Sequence, residues 1–367
     1  MSVNAHPHWG AQALWDSLSP LLPDISIEVV SRVDSTNTRL LDRARAMSGQ
    51  PDAPVTRPGE VGAPGLREHT HERTPHGRRA GDVSPCLLVA EEQARGRGRL
   101  GRDWVSSAGA SLTFSLSMPL APAQWGGLSL AVGLALAEAL DPCPPAEAQD
   151  DVWGSTSRPR IGLKWPNDLW LWEGPGRGRK LGGVLIETVS VGQRRMCVVG
   201  VGLNVRPQPV AAGGVPLSSP SPSTSTSTSR STSPLGSTLP WDAPSKSPLS
   251  SPLLPLPLPP LASGYACLQE IDAGATAARA LAQVARPLVL ALRRFESAGF
   301  APLLPAYTRR DLLRGHAVST SGPEPLHGVA DGVDEQGALR VCTDEDGRTV
   351  QRIVSGEVSV RLRGAAA

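Results

Sequence analysis

Between Pro207 and Ala262 the chain is nearly all Pro, Ser, Thr, Leu and Gly, with only Arg230, Asp242 and Lys246 charged. It holds a Ser/Thr alternation from Ser223 to Ser229 and a Leu/Pro run from Leu253 to Pro259. Proline removes the backbone donors that helices and sheets need, and no amphipathic period survives here. The segment reads as a disordered or polyproline-like insertion, so a fold must be assembled from what flanks it. A second irregular stretch, 48–85, mixes Pro, Gly, Arg and His, including Arg67, His69, His71, Arg73, His76, Arg78 and Arg79. A metal or phosphate site would need fixed ligand spacing, which is absent, so a solvated loop is the better reading.

The remaining segments carry element patterns. Ile25–Ser31 alternates like a strand, and Thr36–Met47 has helical spacing, with Asp34 or Ser35 placed to cap it. Cys86–Ala90, Ser111–Met118, Ile161–Trp165, Gly183–Val189 and Met196–Leu203 read as strands. Leu128–Leu140 and Thr276–Ala298 read as helices. After Arg310 come five short strands: His316–Ser319, Gly328–Val333, Ala338–Thr343, Thr349–Val354 and Val358–Leu362. Their turns carry Gly337 and the Asp346-Gly347 pair, which suggests hairpins and a small barrel.

A chain of 367 residues suits one large domain or, more often, two, and with 4% aromatics its core must be aliphatic. A net charge of +2 argues against a chain-wide polyanion-binding surface. The cysteines Cys86, Cys143, Cys197, Cys267 and Cys342 form no C-x-x-C pair, which disfavours zinc or a disulfide framework and suggests reduced thiols in a cytoplasm. No apolar run is long enough for a membrane span, and the N-terminus lacks a signal-peptide pattern.

The densest chemical signal is Gly96-Arg97-Gly98-Arg99-Leu100-Gly101-Arg102, with Gln93 and Arg95 before it and Trp104 after. It matches G-x-G-x-x-G formally, but several polar residues separate it from the preceding strand and no helix start follows, so the dinucleotide reading is rejected. Four arginines among three glycines remain. Glycines let main-chain amides approach a ligand, and arginines give forked donors to phosphate or carboxylate. The alternative for this segment alone is a basic surface linker or RNA-binding stretch.

Lys164-Trp165-Pro166-Asn167-Asp168 brings an ammonium and two short polar side chains to one turn, or is a plain Asn-Asp turn. Arg179-Lys180-Leu181-Gly182-Gly183-Val184-Leu185-Ile186-Glu187 carries a cation into a strand through a Gly-Gly pair, without the P-loop pattern. Gly200-Val201-Gly202-Leu203-Asn204 leaves space beside a strand for a ligand or a backbone. Asp34-Ser35-Thr36-Asn37 offers helix-start amides to a small polar group, or is a simple cap. No Ser-His-Asp arrangement stands out. The set suits charge stabilisation on phosphate or carboxylate rather than proton shuttling.

Taken in this order, the five motifs resemble the biotin protein ligase family, over roughly residues 25–206 and 263–363. The C-terminal Ser355-Gly356-Glu357-Val358-Ser359-Val360-Arg361 is also similar to the family's. The resemblance implies an α+β fold: a mixed sheet with flanking helices, akin to class II aminoacyl-tRNA synthetases and lipoate ligases, then a small SH3-like β-barrel. It implies a catalytic domain over 1–311 and the barrel over 312–363. It implies the substrates ATP and biotin, magnesium accompanying ATP, and transfer through biotinyl-5′-adenylate to a lysine of a biotin carboxyl carrier domain of acetyl-CoA carboxylase or a similar carboxylase. By the same resemblance Ser35, Thr36, Asn37, Gln93 and Lys180 would contact biotin. Arg97, Gly98 and Arg99 would close over carboxylate and phosphate, with Trp104 helping to cover the adenylate. Lys164 would stabilise charge on the α-phosphate, Gly183 and Asn204 would line the site, and Asp168 would orient or deprotonate the incoming lysine. No metal ligands on the protein are named.

There are departures from the family pattern. Leu100 stands where some members carry another arginine, Arg95 stands where a small residue is common, and the Pro207–Ala262 segment interrupts the catalytic domain. Roughly 24 residues precede the first expected strand, too few for the winged helix-turn-helix of some members, so no sequence-specific DNA binding is expected. Three other readings stay open: a lipoate or octanoate ligase or transferase, a ligand-sensing repressor or RNA-binding protein, and an inactive relative.

Overall fold

A computed structural model describes residues 9–46, 84–142, 159–174, 177–207, 265–321, 325–343, 349–354 and 360–362. The 48–83 and 208–262 stretches, and the Asp346-Gly347 turn, lie outside the described residues. Along the chain the elements are α1 (Ala11–Leu18), β1 (Ser26–Val33), α2 (Thr36–Arg45), β2 (Cys86–Gln93), β3 (Gly96–Arg97), β4 (Asp103–Trp104), β5 (Ser111–Pro119) and α3 (Leu128–Leu140). Then come β6 (Ile161–Lys164), β7 (Asp168–Gly174), β8 (Arg177–Val191), β9 (Arg194–Asn204), α4 (Ala277–Ala298) and α5 (Leu304–Arg310). The last strands are β10 (Ala317–Thr320), β11 (His327–Val333), β12 (Leu339–Cys342), β13 (Val350–Ile353) and β14 (Val360–Leu362).

Seven strands form one sheet in the order β1-β2-β5-β9-β8-β7-β6. Only β1 and β2 are parallel; the other neighbours are antiparallel. This is the mixed sheet the sequence led us to expect. β5 shows why one side is a core and the other a site. Its odd and even positions separate cleanly: Leu112, Phe114, Leu116 and Met118 join the large apolar cluster, while Ser111, Thr113, Ser115 and Ser117 face the other way and are buried as well. α1, α3 and α4 pack on the apolar side. α3 is apolar all round because it lies between the sheet and α4. α2 covers part of the other side, where Leu40 and Leu41 meet Val30, Cys86, Leu88, Ala90 and Val198. At the outer end of that layer Arg43 forks onto the buried Glu28 carboxylate at 2.8 and 2.6 Å.

β10 to β14 form a second, wholly antiparallel sheet in the order β13-β12-β11-β10-β14. All five expected C-terminal strands are present, each within a few residues of its predicted span. Its apolar positions Val318, Ala330, Val333, Leu339, Val341 and Val360 merge with the core of the first sheet. The junction is polar as well as apolar. The Trp165 indole donates to the Gly337 carbonyl at 3.0 Å and the Leu312 amide donates to Leu163; just before it, buried Arg310 pairs with Asp141 at 3.0 Å and holds the end of α5 to α3. Gly337, at φ 74°, lies directly on Gly127, so an added Cβ would meet the Gly127 backbone. Gly337→Ala is therefore expected to cost about 1–2 kcal/mol, from left-handed backbone strain plus the clash. An unchanged thermal midpoint would show that the two sheets do not depend on this contact.

Several boundaries differ from expectation. β2 runs to Gln93 rather than Ala90, because the chain stays hydrogen-bonded to β1 through Arg32–Glu92 and Val33–Gln93. Only Ala94 and Arg95 then precede the arginine loop. The dinucleotide reading still fails, since two-residue strands and a 3-10 turn follow instead of a helix. β8 is fifteen residues long, and β7 occupies the stretch after the Asn-Asp turn where no strand was expected. The short helices α1 and α5 were not anticipated.

Candidate functional site

The site lies on the face of the large sheet opposite α3 and α4, where α2 begins. Ser35 caps α2, its Oγ accepting the Thr38 amide at 3.4 Å. This fixes the first turn, and the next two side chains are drawn into a buried polar network. The Thr36 amide and hydroxyl both donate to Gln93 Oε1, at 2.7 and 3.1 Å. Ser115 Oγ lies 2.7 Å from Thr36 Oγ1 and 2.6 Å from Asn37 Oδ1. Asn37 Nδ2 donates to Glu187 Oε2 at 2.9 Å and to the Leu185 carbonyl at 3.3 Å. Arg97 closes the chain of contacts by donating to both Glu187 oxygens, at 3.1 and 3.0 Å. Ser35, Thr36, Asn37 and Ser115 are all buried, so the network is preformed rather than solvated.

Glycines on β9 make room for it. Directly across from β5, Gly200 and Gly202 occupy positions whose side chains would point into the site. A Cβ at Gly200 would strike the Asn37 amide, and one at Gly202 would strike the Trp104 indole. The sequence reading gave this space to a ligand or a neighbouring backbone; the structure fills it with two side chains, Asn37 and Trp104.

The arginine loop is a small hairpin. β3 pairs with β4, the Gly98 amide donates to the Arg102 carbonyl at 2.7 Å, and residues 99–101 form a 3-10 turn. Leu100 sits at the exposed tip with φ 58°. The loop folds back over the sheet: Trp104 rests on Gly202, Arg97 reaches Glu187, and Arg99 Nη1 donates to Asn167 Oδ1 at 3.4 Å. Burial pulls the Arg99 pKa down, nearby Asp168 opposes this, and Arg102 adds to it. A guanidinium nevertheless stays charged at neutral pH.

Beside the loop, β6, β7 and β8 present two lysines. Strand register sets Lys164 opposite Asp168, Trp170 opposite Lys180, and Asp168 opposite Gly183. Lys180 Nζ lies 2.8 Å from Asp168 Oδ1. Lys164 Nζ sits 4.7 Å from the centre of the Trp170 ring. The Lys180 carbonyl accepts from Ala266 N at 2.9 Å and from Asn204 Nδ2 at 3.4 Å, which anchors the lysine's backbone at the strand end. Asn167 is fixed in turn, exchanging hydrogen bonds with Val184 at 2.9 and 2.8 Å. The indole N–H groups of Trp104 and Trp170 are buried with no hydrogen-bond acceptor among the described residues.

Every residue singled out from the sequence, Ser35, Thr36, Asn37, Gln93, Arg97, Gly98, Arg99, Trp104, Lys164, Asp168, Lys180, Gly183 and Asn204, falls on this one face or on the loop over it. Three participants were not singled out. Ser115 was hidden in a strand pattern whose polar half was the signal, Glu187 closed a quoted motif without a role, and Trp170 lay in the strand not foreseen. Such a constellation positions anions: four cationic side chains, Arg97, Arg99, Lys164 and Lys180, stand next to a buried set of hydrogen-bond donors and acceptors.

Residues 79–204 match the Biotin/lipoate A/B protein ligase family, and residues 319–361 match the Biotin protein ligase C terminal domain. A Biotin--[acetyl-CoA-carboxylase] ligase of Paracoccus denitrificans is 30% identical over 263 residues, covering 69% of this chain and 82% of that protein. The Bifunctional ligase/repressor BirA of Escherichia coli is 27% identical over 340 residues, covering 92% of this chain and 74% of that protein. In three dimensions a biotin protein ligase from Aquifex aeolicus, solved with biotin and ATP, shares the fold with a TM-score of 0.53 at 22% identity, covering 92% of this chain and 98% of that one. The chain belongs to the biotin protein ligase family.

Proposed function

We propose that this protein joins biotin to a lysine of a biotin carboxyl carrier domain, at the cost of one ATP. The biotin carboxylate attacks the α-phosphate and pyrophosphate leaves. The carrier lysine amine then attacks the carbonyl of biotinyl-5′-adenylate, losing a proton as AMP departs. The observation that carries this reading is the meeting of four cations with a buried polar network on one sheet face. A carboxylate and a triphosphate repel each other, and only fixed positive charge lets them approach.

Thr36, Asn37, Gln93 and Ser115 receive the ureido ring, whose two N–H donors and one carbonyl need buried partners. Lys180 faces the carboxylate and Lys164 the α-phosphate. Arg97 and Arg99 close over both, and Trp104 and Asn204 flank the nucleotide. Gly183 leaves room for the paired Asp168 and Lys180 side chains. Asp168 holds Lys180 and lies where the acceptor amine would enter. Magnesium would accompany ATP and offset its phosphate charge, and no residue of this chain is assigned to it. Loop closure also shields the mixed anhydride from water. Residues 1–311 form the catalytic unit and 312–363 the C-terminal module.

Biotin is favoured over lipoate or octanoate by the same network. An acyl chain without a polar head would leave these buried groups unanswered, and sites built to hydrogen-bond a substrate reject analogues that cannot. Ser115→Ala is expected to raise the biotin Kd about tenfold, the loss of one to two buried hydrogen bonds. Calorimetric titration checks it, and unaltered affinity would take Ser115 out of the site. The activity itself is tested by pyrophosphate release from ATP with biotin, lipoate or octanoate, with and without an apo carrier domain. Release with biotin and label on the carrier lysine support the reading. Release with lipoate alone would move the chain to the neighbouring ligases.

A further inference from the structure

We propose that Glu187 is a positioning residue of the biotin site: it holds the Asn37 amide with its oxygen turned inward, so that the site calls for an N–H donor. The inference deepens the biotin reading and rests on it. It is carried by the hydrogens along the polar row Gln93, Thr36, Ser115 and Asn37. At one end the Thr36 amide, which can only donate, lies 2.7 Å from Gln93 Oε1 and fixes that oxygen. The Thr36 hydroxyl, 3.1 Å from the same oxygen, spends its one hydrogen there. At the other end the Glu187 carboxylate and the Leu185 carbonyl only accept, at 2.9 and 3.3 Å, so Asn37 turns Nδ2 to them and Oδ1 to Ser115.

Ser115 stands between the two fixed ends. Its Oγ is 2.7 Å from Thr36 Oγ1 and 2.6 Å from Asn37 Oδ1, and its single hydrogen serves only one of them at a time. Among the described residues the row is one hydrogen short. Turning the Asn37 amide over would supply it, because Nδ2 would then donate to Ser115. It would also press Oδ1 against Glu187, and of the two acceptors there the charged and nearer one resists most. The Asn37 side chain is held in place as well, lying directly on the Gly200 backbone. The missing hydrogen is therefore left to a ligand. A ureido ring brings two N–H donors beside its carbonyl, whereas a ring ketone of the same shape brings none.

Glu187 also ties the arginine loop to this choice. Arg97 donates to both carboxylate oxygens, at 3.1 and 3.0 Å. One carboxylate thus turns Asn37 inward and receives the loop, so the acceptor-rich form of the site and its covered form share an anchor.

The test measures, on the full chain, the affinity for biotin and for its ring ketone, in which both ureido N–H groups are replaced by methylenes. The unsubstituted protein is expected to prefer biotin by about a hundredfold or more. Glu187→Gln keeps the shape but presents either an oxygen or an amino group, so Asn37 can turn over. The biotin Kd should then rise on the order of tenfold, while that of the ketone stays within about twofold. An equal loss for both ligands, the mark of a structural role, or no loss for biotin would overturn the proposal. The same shift should appear in an Arg97→Met background; its disappearance there would place the action of Glu187 in the loop and overturn the proposal as well. A readout without ligand keeps the inference separate from the biotin reading: NMR scalar coupling across the hydrogen bond from Asn37 Nδ2 to the Glu187 carboxylate carbon. Its absence would overturn the orientation. Coupling present in a protein that binds no biotin would sink the biotin reading instead and leave the orientation standing.

Discussion

Lys180→Ala is expected to lower biotin-dependent pyrophosphate release by about a hundredfold or more, and to weaken biotin binding as well. The size follows from two losses at one point. Lys180 leaves its strand where its carbonyl is pinned by Ala266 and Asn204, so its ammonium is delivered to a fixed place beside Asp168. Truncation removes the charge-assisted partner proposed for the substrate carboxylate, worth about 1.5–3 kcal/mol. It also exposes the Asp168 carboxylate, so an attraction becomes a repulsion for both substrates. Asp168→Asn in the Lys180→Ala background should therefore restore part of the rate, although alone it should impair the enzyme. Steady-state release across the four proteins checks this. Unchanged turnover in Lys180→Ala would place the lysine outside the reacting centre.

How much of this was legible in the sequence depended on the kind of signal. The cationic loop, the two lysines and the α2 start are local motifs, and local motifs survive translation into three dimensions. Ser35, one of the two cap candidates, caps α2, and Gly200 and Gly202 leave space that the Asn37 and Trp104 side chains fill. What the sequence hid was pairing across strands. Ser115 reads as one more small residue of β5 until its neighbours Thr36 and Asn37 are seen to come from an element almost eighty positions away. Trp170 reads as part of a turn region, because Asn167-Asp168 advertises a turn and says nothing of the strand that follows. β2 looked shorter than it is for a related reason. Glu91, Glu92 and Gln93 are polar, yet β1 alongside supplies the ladder that keeps them extended.

The C-terminal junction carries the second large expectation, a stability that falls as pH rises. Asp311 links the two sheets: its backbone bridges to Leu163 of β6, and its Oδ1 accepts the Leu313 amide at 2.9 Å. Oδ2 is buried with no hydrogen-bond partner among the described residues, and the Tyr307 hydroxyl, also buried and without one among them, belongs to the helix just before it. Burial pushes the Asp311 carboxyl up from 3.8 to about 6, against the pull of the Leu313 and Arg314 amides and the Arg314 charge. A raised carboxyl pKa means that the folded chain holds this proton more tightly than the unfolded chain. The stabilising effect is whole below the unfolded value and is lost as pH climbs through the folded one. The full loss is about 3 kcal/mol, of which about 2 kcal/mol falls between about pH 4.5 and 7.5. Asp311→Asn keeps an oxygen for the Leu313 amide and removes the titration. The difference in unfolding free energy between the two proteins should therefore change by that amount across the window, in favour of the variant at the higher pH. Urea unfolding at both pH values measures it. A difference that does not vary with pH would show that the carboxylate is solvated in the folded protein.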